Sequence, residues 1–151
     1  MKKRRLGITG LIAIGALLVL SGCGGSGNKP LTKAQFAAKA NALCVSFNAA
    51  NKAAGSPTSL ATAITYFETM TPLYEKRVAS FSKLNPPTSE AATVTRLVTI
   101  EKKEASMARD LLAALKKNDT AKQAALIKSA NTNSKQAKGL YQTLGLTDCL
   151  K

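Results

Sequence analysis

The chain has no histidine and no tryptophan, and only eight acids stand against 22 lysines and arginines. Without histidine, a serine or cysteine nucleophile loses its usual general base, and a transition metal loses its commonest nitrogen ligand. So few acids leave no clustered carboxylates to hold calcium or magnesium. Aromatics make up 5% of the residues and cysteines number three. No GxSxG or phosphate-loop pattern occurs. These absences argue against an enzyme, and they predict no catalytic residues, no cofactor and no metal.

What charge there is begins abruptly. Met1 is followed by Lys2-Lys3-Arg4-Arg5, and Leu6 to Leu20 then runs without a charged residue. A cationic start before an apolar run of about 15 residues is the pattern of an export signal. A permanent membrane span takes roughly 20 apolar residues, and Gly7, Gly10 and Gly15 interrupt this run, so spanning is the weaker reading. Leu20-Ser21-Gly22-Cys23 supplies a branched apolar residue, two small residues and a cysteine. Across the first 23 residues the chain resembles the bacterial lipoprotein signal family. The resemblance implies lipid on the Cys23 sulfur, cleavage of residues 1–22, and anchoring on the extracytoplasmic side of the cell membrane. A thiolate attacks the lipid donor, and small flanking residues admit an intramembrane peptidase. Each buried methylene of the acyl chains adds about 0.8 kcal/mol to the anchorage. The alternative is an ordinary secretory signal with a chance cysteine.

Loss of the signal removes four of the 22 cations and no acid, leaving 18 against eight, a formal +10. Such a balance favours anionic lipid headgroups, wall polymers or acidic protein partners. Export argues against nucleic acid. Dispersed lysines that only keep the domain soluble are the plainer alternative. With Cys23 assigned to lipid, Cys44 and Cys149 remain as an even pair in an oxidising compartment. Neither has a CxxC neighbour, so the expectation is a structural disulfide. Closing a loop of roughly 100 residues contributes about 4–5 kcal/mol in the chain-entropy treatment.

Residues 23–31 read as the lipidated cysteine and a flexible tether, with Gly24-Gly25-Ser26-Gly27-Asn28-Lys29-Pro30 at its centre. Residues 32–151 read as four amphipathic helices. Thr32 and Gln35 form a capping box for the first, whose stripe is Phe36, Ala40, Leu43, Phe47, Ala50 and Ala54; Gly55-Ser56-Pro57 ends it. The second spans about Ser59 to Lys83 with Leu60, Ile64, Phe67, Tyr74, Val78 and Phe81 in phase. Pro72 lies inside it and predicts a kink. The third, about Ser89 to Lys117, shows Val94, Leu97, Val98, Ala105, Ala108, Leu112 and Leu115. The fourth, about Ala121 to Leu144, shows Leu126, Ala130, Ala137, Leu140 and Leu144, with Gly145 placed to end it. Short connections make this an all-α fold, an antiparallel four-helix bundle.

In such a bundle the fourth helix ends beside the start of the first. Cys44 lies about 18 Å along the first helix at a rise of about 1.5 Å per residue. The tail Gly145 to Cys149, if extended, covers about 16 Å and so folds back far enough to meet it. The segments Thr32-Lys33-Ala34-Gln35-Phe36, Ala40-Asn41-Ala42-Leu43-Cys44 and Leu84-Asn85-Pro86-Pro87, with the ending Tyr141 and Leu144-Gly145-Leu146-Thr147-Asp148-Cys149, carry a second resemblance. They are similar to a group of small helical lipoproteins of Gram-positive type, which implies paired cysteines and no assigned activity.

Three polar residues fall within the apolar stripes: Thr71 in the second helix, Glu101 in the third and Asn133 in the fourth. Each lies near the middle of its helix, which predicts one buried polar layer. A bundle uses such a layer to fix its register. The other readings are a small polar pocket at the kink, or an outward Glu101 and no layer. A buried Glu101 needs a Lys or Arg from a neighbouring helix, or its pKa rises. Glu68 and Glu75, with Lys76 and Arg77 adjoining, read as a solvated face, and Glu101 and Glu104 beside Lys102-Lys103 as surface pairing. The leading expectation is therefore a non-catalytic domain at the cell surface or envelope that binds a protein partner or an anionic envelope component. Lys102-Lys103, Lys116-Lys117, Lys122, Lys128, Lys135 and Lys138 are its candidate contacts. The alternative is a ligand-binding lipoprotein with a small polar site inside the bundle.

Overall fold

A computed structural model describes residues 29–151. Cys23, the signal segment and most of the tether lie outside the described residues. The helices are α1 (Lys33–Ala54), α2 (Leu60–Ser82), α3 (Ala91–Lys116) and α4 (Thr120–Leu144), with 3₁₀ turns at Thr88–Glu90 and Thr147–Leu150.

Local chemistry sets their ends. The Gln35 backbone N–H donates to Thr32 Oγ1 at 3.2 Å while Gln35 Oε1 accepts from the Thr32 N–H at 3.0 Å. Ser59 caps α2 in the same reciprocal way, with Thr62 in the place usually held by Glu or Gln. Asp119 caps α4 by accepting from the Lys122 N–H at 2.9 Å. Gly55 at φ 71° and Gly145 at φ 68° end α1 and α4 at positive φ, open to glycine at little cost, Gly145 in the left-handed helical conformation. Asn118 at φ 52° turns the chain between α3 and α4. The helix α2 runs unbroken through Pro72, whose missing N–H lies on an exposed face.

The helix α3 is central, packing against α2 on one side and α4 on the other, while α1 packs on α2. Tyr74 meets Glu104 and Arg77 meets Glu101, so numbers fall on α3 as they rise on α2, an antiparallel register. Glu101 to Tyr141 and Met107 to Asn133 set the same relation between α3 and α4. The densest core lies where α1 and α3 begin and α2 and α4 end. Phe36, Ala40, Phe81, Val94, Leu97, Ala137, Tyr141, Leu144 and Leu146 form it. Phe36 and Phe81 meet edge to face at 5.9 Å.

Beyond Gly145 the tail does not run extended as expected. It places Leu146 in the core, fully buried, and then coils into the second 3₁₀ turn. Asn41 and Asn48 on α1 hold it, Asn41 Oδ1 accepting from the Asp148 N–H at 3.0 Å and Asn48 Nδ2 donating to the Asp148 carbonyl at 2.8 Å. Cys149 is thereby brought to Cys44 and bonded to it, with the Cα atoms 5.0 Å apart. The turn packs on both α1 and α4 and closes that end of the bundle. Among the described residues no helix is long and apolar enough to cross a membrane.

Candidate functional site

Arg77 lies three residues after Tyr74 and four before Phe81, on the buried stripe of α2 rather than its solvated face. Its side chain is 9% exposed, and that of Glu101 opposite is fully buried. Arg77 Nη2 lies 3.3 Å from Glu101 Oε1. Arg77 Nη1 reaches Tyr141 Oη at 3.5 Å and Cys44 Sγ at 3.4 Å. The guanidinium sits over the Phe47 ring at 5.1 Å and the Tyr74 ring at 4.7 Å, within cation–π range. The Tyr141 hydroxyl donates to the same Glu101 oxygen that Arg77 engages. One turn along α3, Glu104 accepts from the Tyr74 hydroxyl at 2.6 Å.

Burial pushes Glu101 above the usual carboxylate range, and the Arg77 charge and the Tyr141 hydrogen bond offset this only in part. Burial raises Glu104 too, against the Tyr74 hydrogen bond, with Glu101 adding to the rise. Tyr74 and Tyr141 are raised by burial and by the neighbouring carboxylates. Burial would lower Arg77, but Glu101, Tyr141 and Tyr74 hold it above its ordinary value. The guanidinium therefore stays charged, and the network anchors α1, α2, α3 and α4 to one another through a single side chain.

Thr71, Glu101 and Asn133 are all buried, at 5%, 0% and 5% exposure. They do not form one layer. Glu101 takes its partners from Arg77 and Tyr141. Asn133 accepts from Lys103 Nζ at 3.4 Å and lies 3.8 Å from Met107 Sδ. Thr71 Oγ1 has no hydrogen-bond partner among the described residues. The α2–α3 register that sets Arg77 against Glu101 puts Thr71 opposite Met107, about 9 Å farther along α3. Thr71 and Asn133 thus share a level that Glu101 does not.

Reading Arg77 as a surface residue and Glu104 as a partner of Lys102 and Lys103 is also corrected, since both turn toward the bundle. The signal for Arg77 was its spacing from Tyr74 and Phe81. That for Tyr141 was its position four residues after Ala137 and three before Leu144. Nothing in the local sequence pairs Tyr74 with Glu104, because the contact crosses between helices.

Above the closed end, a groove of about 430 Å³ opens between α1 and α4, within the roughly 300–1,000 Å³ typical of ligand sites. Tyr74, Arg77, Glu104 and Tyr141 line it together with Phe47 and Cys149. Its α1 wall presents Asn48 and Asn51, and its α4 wall presents Asn131, Ser134 and Lys138.

Charge divides around this groove. The helix α1 holds Lys33, Lys39 and Lys52 and no acid, and α4 holds Lys122, Lys128, Lys135 and Lys138 and no acid. The acids lie on α2, α3 and the turns, where Glu68 pairs with Lys116, Glu75 with Arg109, Glu90 with Lys33 and Asp148 with Lys151. Lys39, Lys52, Lys122, Lys128, Lys135 and Lys138 are exposed, and none is ion-paired among the described residues; the same holds of Lys76, Lys83, Arg96, Lys102, Lys103 and Lys117 on or beside α2 and α3, but there acids stand on the same helices. No protein-family model matches the chain, and neither does any curated protein or solved structure.

Proposed function

We propose that this chain is a lipid-anchored, non-catalytic envelope protein whose helical domain binds an anionic component of the cell envelope through the α1 and α4 side. The lipobox-like Leu20-Ser21-Gly22-Cys23 supports the anchor. The single observation that carries the binding role is that α1 and α4 hold no acid, so their exposed lysines have no carboxylate on their own helix, whereas the unpaired cations of α2 and α3 stand among acids. An acid-free helix keeps the full field of its lysines, which the carboxylates of α2 and α3 partly cancel on those helices. Unpaired cations on adjacent elements sum to a field that attracts an anionic partner and weakens with salt.

Binding of the full chain, held in detergent micelles, to purified envelope polymer at low and high ionic strength tests this. Retention at low salt and release above about 0.5 M, where screening lengths shrink to a few ångströms, is the expected result. Retention that does not respond to salt, or none at low salt, contradicts it.

A second reading, a ligand site inside the bundle, is favoured by the groove itself. Its polar lining centres on Arg77, Glu104 and Tyr141, and none of Thr71, Glu101 and Asn133 lines it.

A further inference from the structure

We infer that the α1–α4 groove takes an acidic saccharide, a short run of sugar rings that carry carboxylates. This rests on the anionic-partner reading and names the chemistry of that partner. The groove walls carry two facing polar stripes at helical spacing. Asn48 and Asn51 are three apart on α1, and Asn131, Ser134 and Lys138 are three and four apart on α4. Asn48 is committed to the tail and Asn51 Oδ1 accepts from Tyr66. That leaves the Asn51 amide N–H₂, the Asn131 amide, the Ser134 hydroxyl and the Lys138 ammonium facing open space.

Neutral amides and a hydroxyl suit a ligand rich in hydroxyls, since an amide can both donate to and accept from neighbouring hydroxyl groups. The Phe47 ring beside them offers an apolar face for the C–H side of a sugar ring. Glu104 also lines the groove. A carboxylate there repels a densely charged chain such as polyphosphate, but tolerates one whose charges are spaced by whole rings. Lys138 at the rim then meets one ligand carboxylate, and Lys128 and Lys135 on the outer side of α4 extend the attraction.

The test titrates the full chain in detergent micelles with trigalacturonate, the uncharged trisaccharide maltotriose, triglutamate, and vesicles containing phosphatidylglycerol. The parent is compared with Ser134→Trp, which fills the groove from an exposed position, and with Asn131→Ala. Trigalacturonate is expected to bind at least tenfold more tightly than maltotriose or triglutamate. Ser134→Trp should weaken it by tenfold or more with an unchanged helical circular-dichroism spectrum, and Asn131→Ala by roughly threefold to tenfold, the worth of one hydrogen bond. If Ser134→Trp disturbs the fold, Asn131→Ala decides the outcome.

Equal binding of trigalacturonate by the parent and the groove variants overturns the saccharide assignment, and so does triglutamate binding as tightly as trigalacturonate. In both cases the anionic-partner reading survives. Preference for the vesicles over every soluble probe also overturns it, in favour of a lipid surface. If no anionic probe binds, both readings fall.

Discussion

Glu101 has been taken wholly out of water and Arg77 nearly so, and their stability effect depends on each keeping the other. Removing one partner of a buried pair costs about 3–5 kcal/mol, whereas replacing both by apolar groups of similar volume is often neutral. Glu101→Leu is therefore expected to lower the unfolding free energy by roughly that amount and Glu101→Gln by less, read by chemical denaturation. The double variant Arg77→Met with Glu101→Leu should recover most of the loss. A double variant no better than Glu101→Leu alone would show that the ion pair is not the source of the penalty.

The same pair sets a pH dependence. Glu101 and Glu104 are raised in the folded state, so the stability linked to them is complete below the ordinary glutamate value of about 4.3 and is lost as pH rises through their folded values. Unfolding free energy should thus decline from pH 4 toward neutrality, and Glu101→Gln should flatten the slope. A parent that gains stability over that interval contradicts the direction.

Among the elements, the C-terminal turn does more than its length suggests. Leu146 fills the core and Cys149 ties the turn to α1, so the last residues hold the edge that α1 and α4 leave open. Leu146→Ala should cost about 2–5 kcal/mol, as for a buried leucine. Reducing the Cys44–Cys149 bond should cost about 4–5 kcal/mol, given its sequence separation of 105. Melting temperatures with and without reductant measure both, and an unchanged melting point for Leu146→Ala would place the tail outside the cooperative unit.

Four helices, the Thr32 capping box and the Gly145 terminus were legible from periodicity and cap chemistry, which act within a few residues. The inward turn of Arg77 was legible in principle, from its place between Tyr74 and Phe81, but its charge argued the other way. Two contacts escaped any local pattern: the partnership of Tyr141 with Glu101, 40 residues apart, and the seat of Leu146 in the core. Both depend on how far the helices slide past one another. The expected polar layer failed for the same reason, since mid-helix position does not specify inter-helix register.

For the molecule as a whole, the acids are gathered into α2, α3 and the turns, so the unpaired lysines of α1 and α4 stand clear of them while the unpaired cations of α2 and α3 do not. A lipid on Cys23 would hold this domain at the membrane by the end where α1 begins. The acid-free helices would then rise from that surface with their lysines unpaired. Any binding that depends on the charge division must be sensitive to where a lysine sits and not only to how many there are.

Charge neutralisation at matched numbers therefore tests the central claim most directly. One variant of the full chain carries Lys128→Gln, Lys135→Gln and Lys138→Gln on α4; the other carries Lys76→Gln, Lys83→Gln and Arg96→Gln at exposed positions on α2, its C-cap and α3. Both lose three cations. Affinity for an anionic envelope polymer at low salt should fall at least tenfold, about 1.4 kcal/mol, in the first and by less than threefold, about 0.65 kcal/mol, in the second. Equal losses in the two variants would contradict the assignment of binding to the α1 and α4 side.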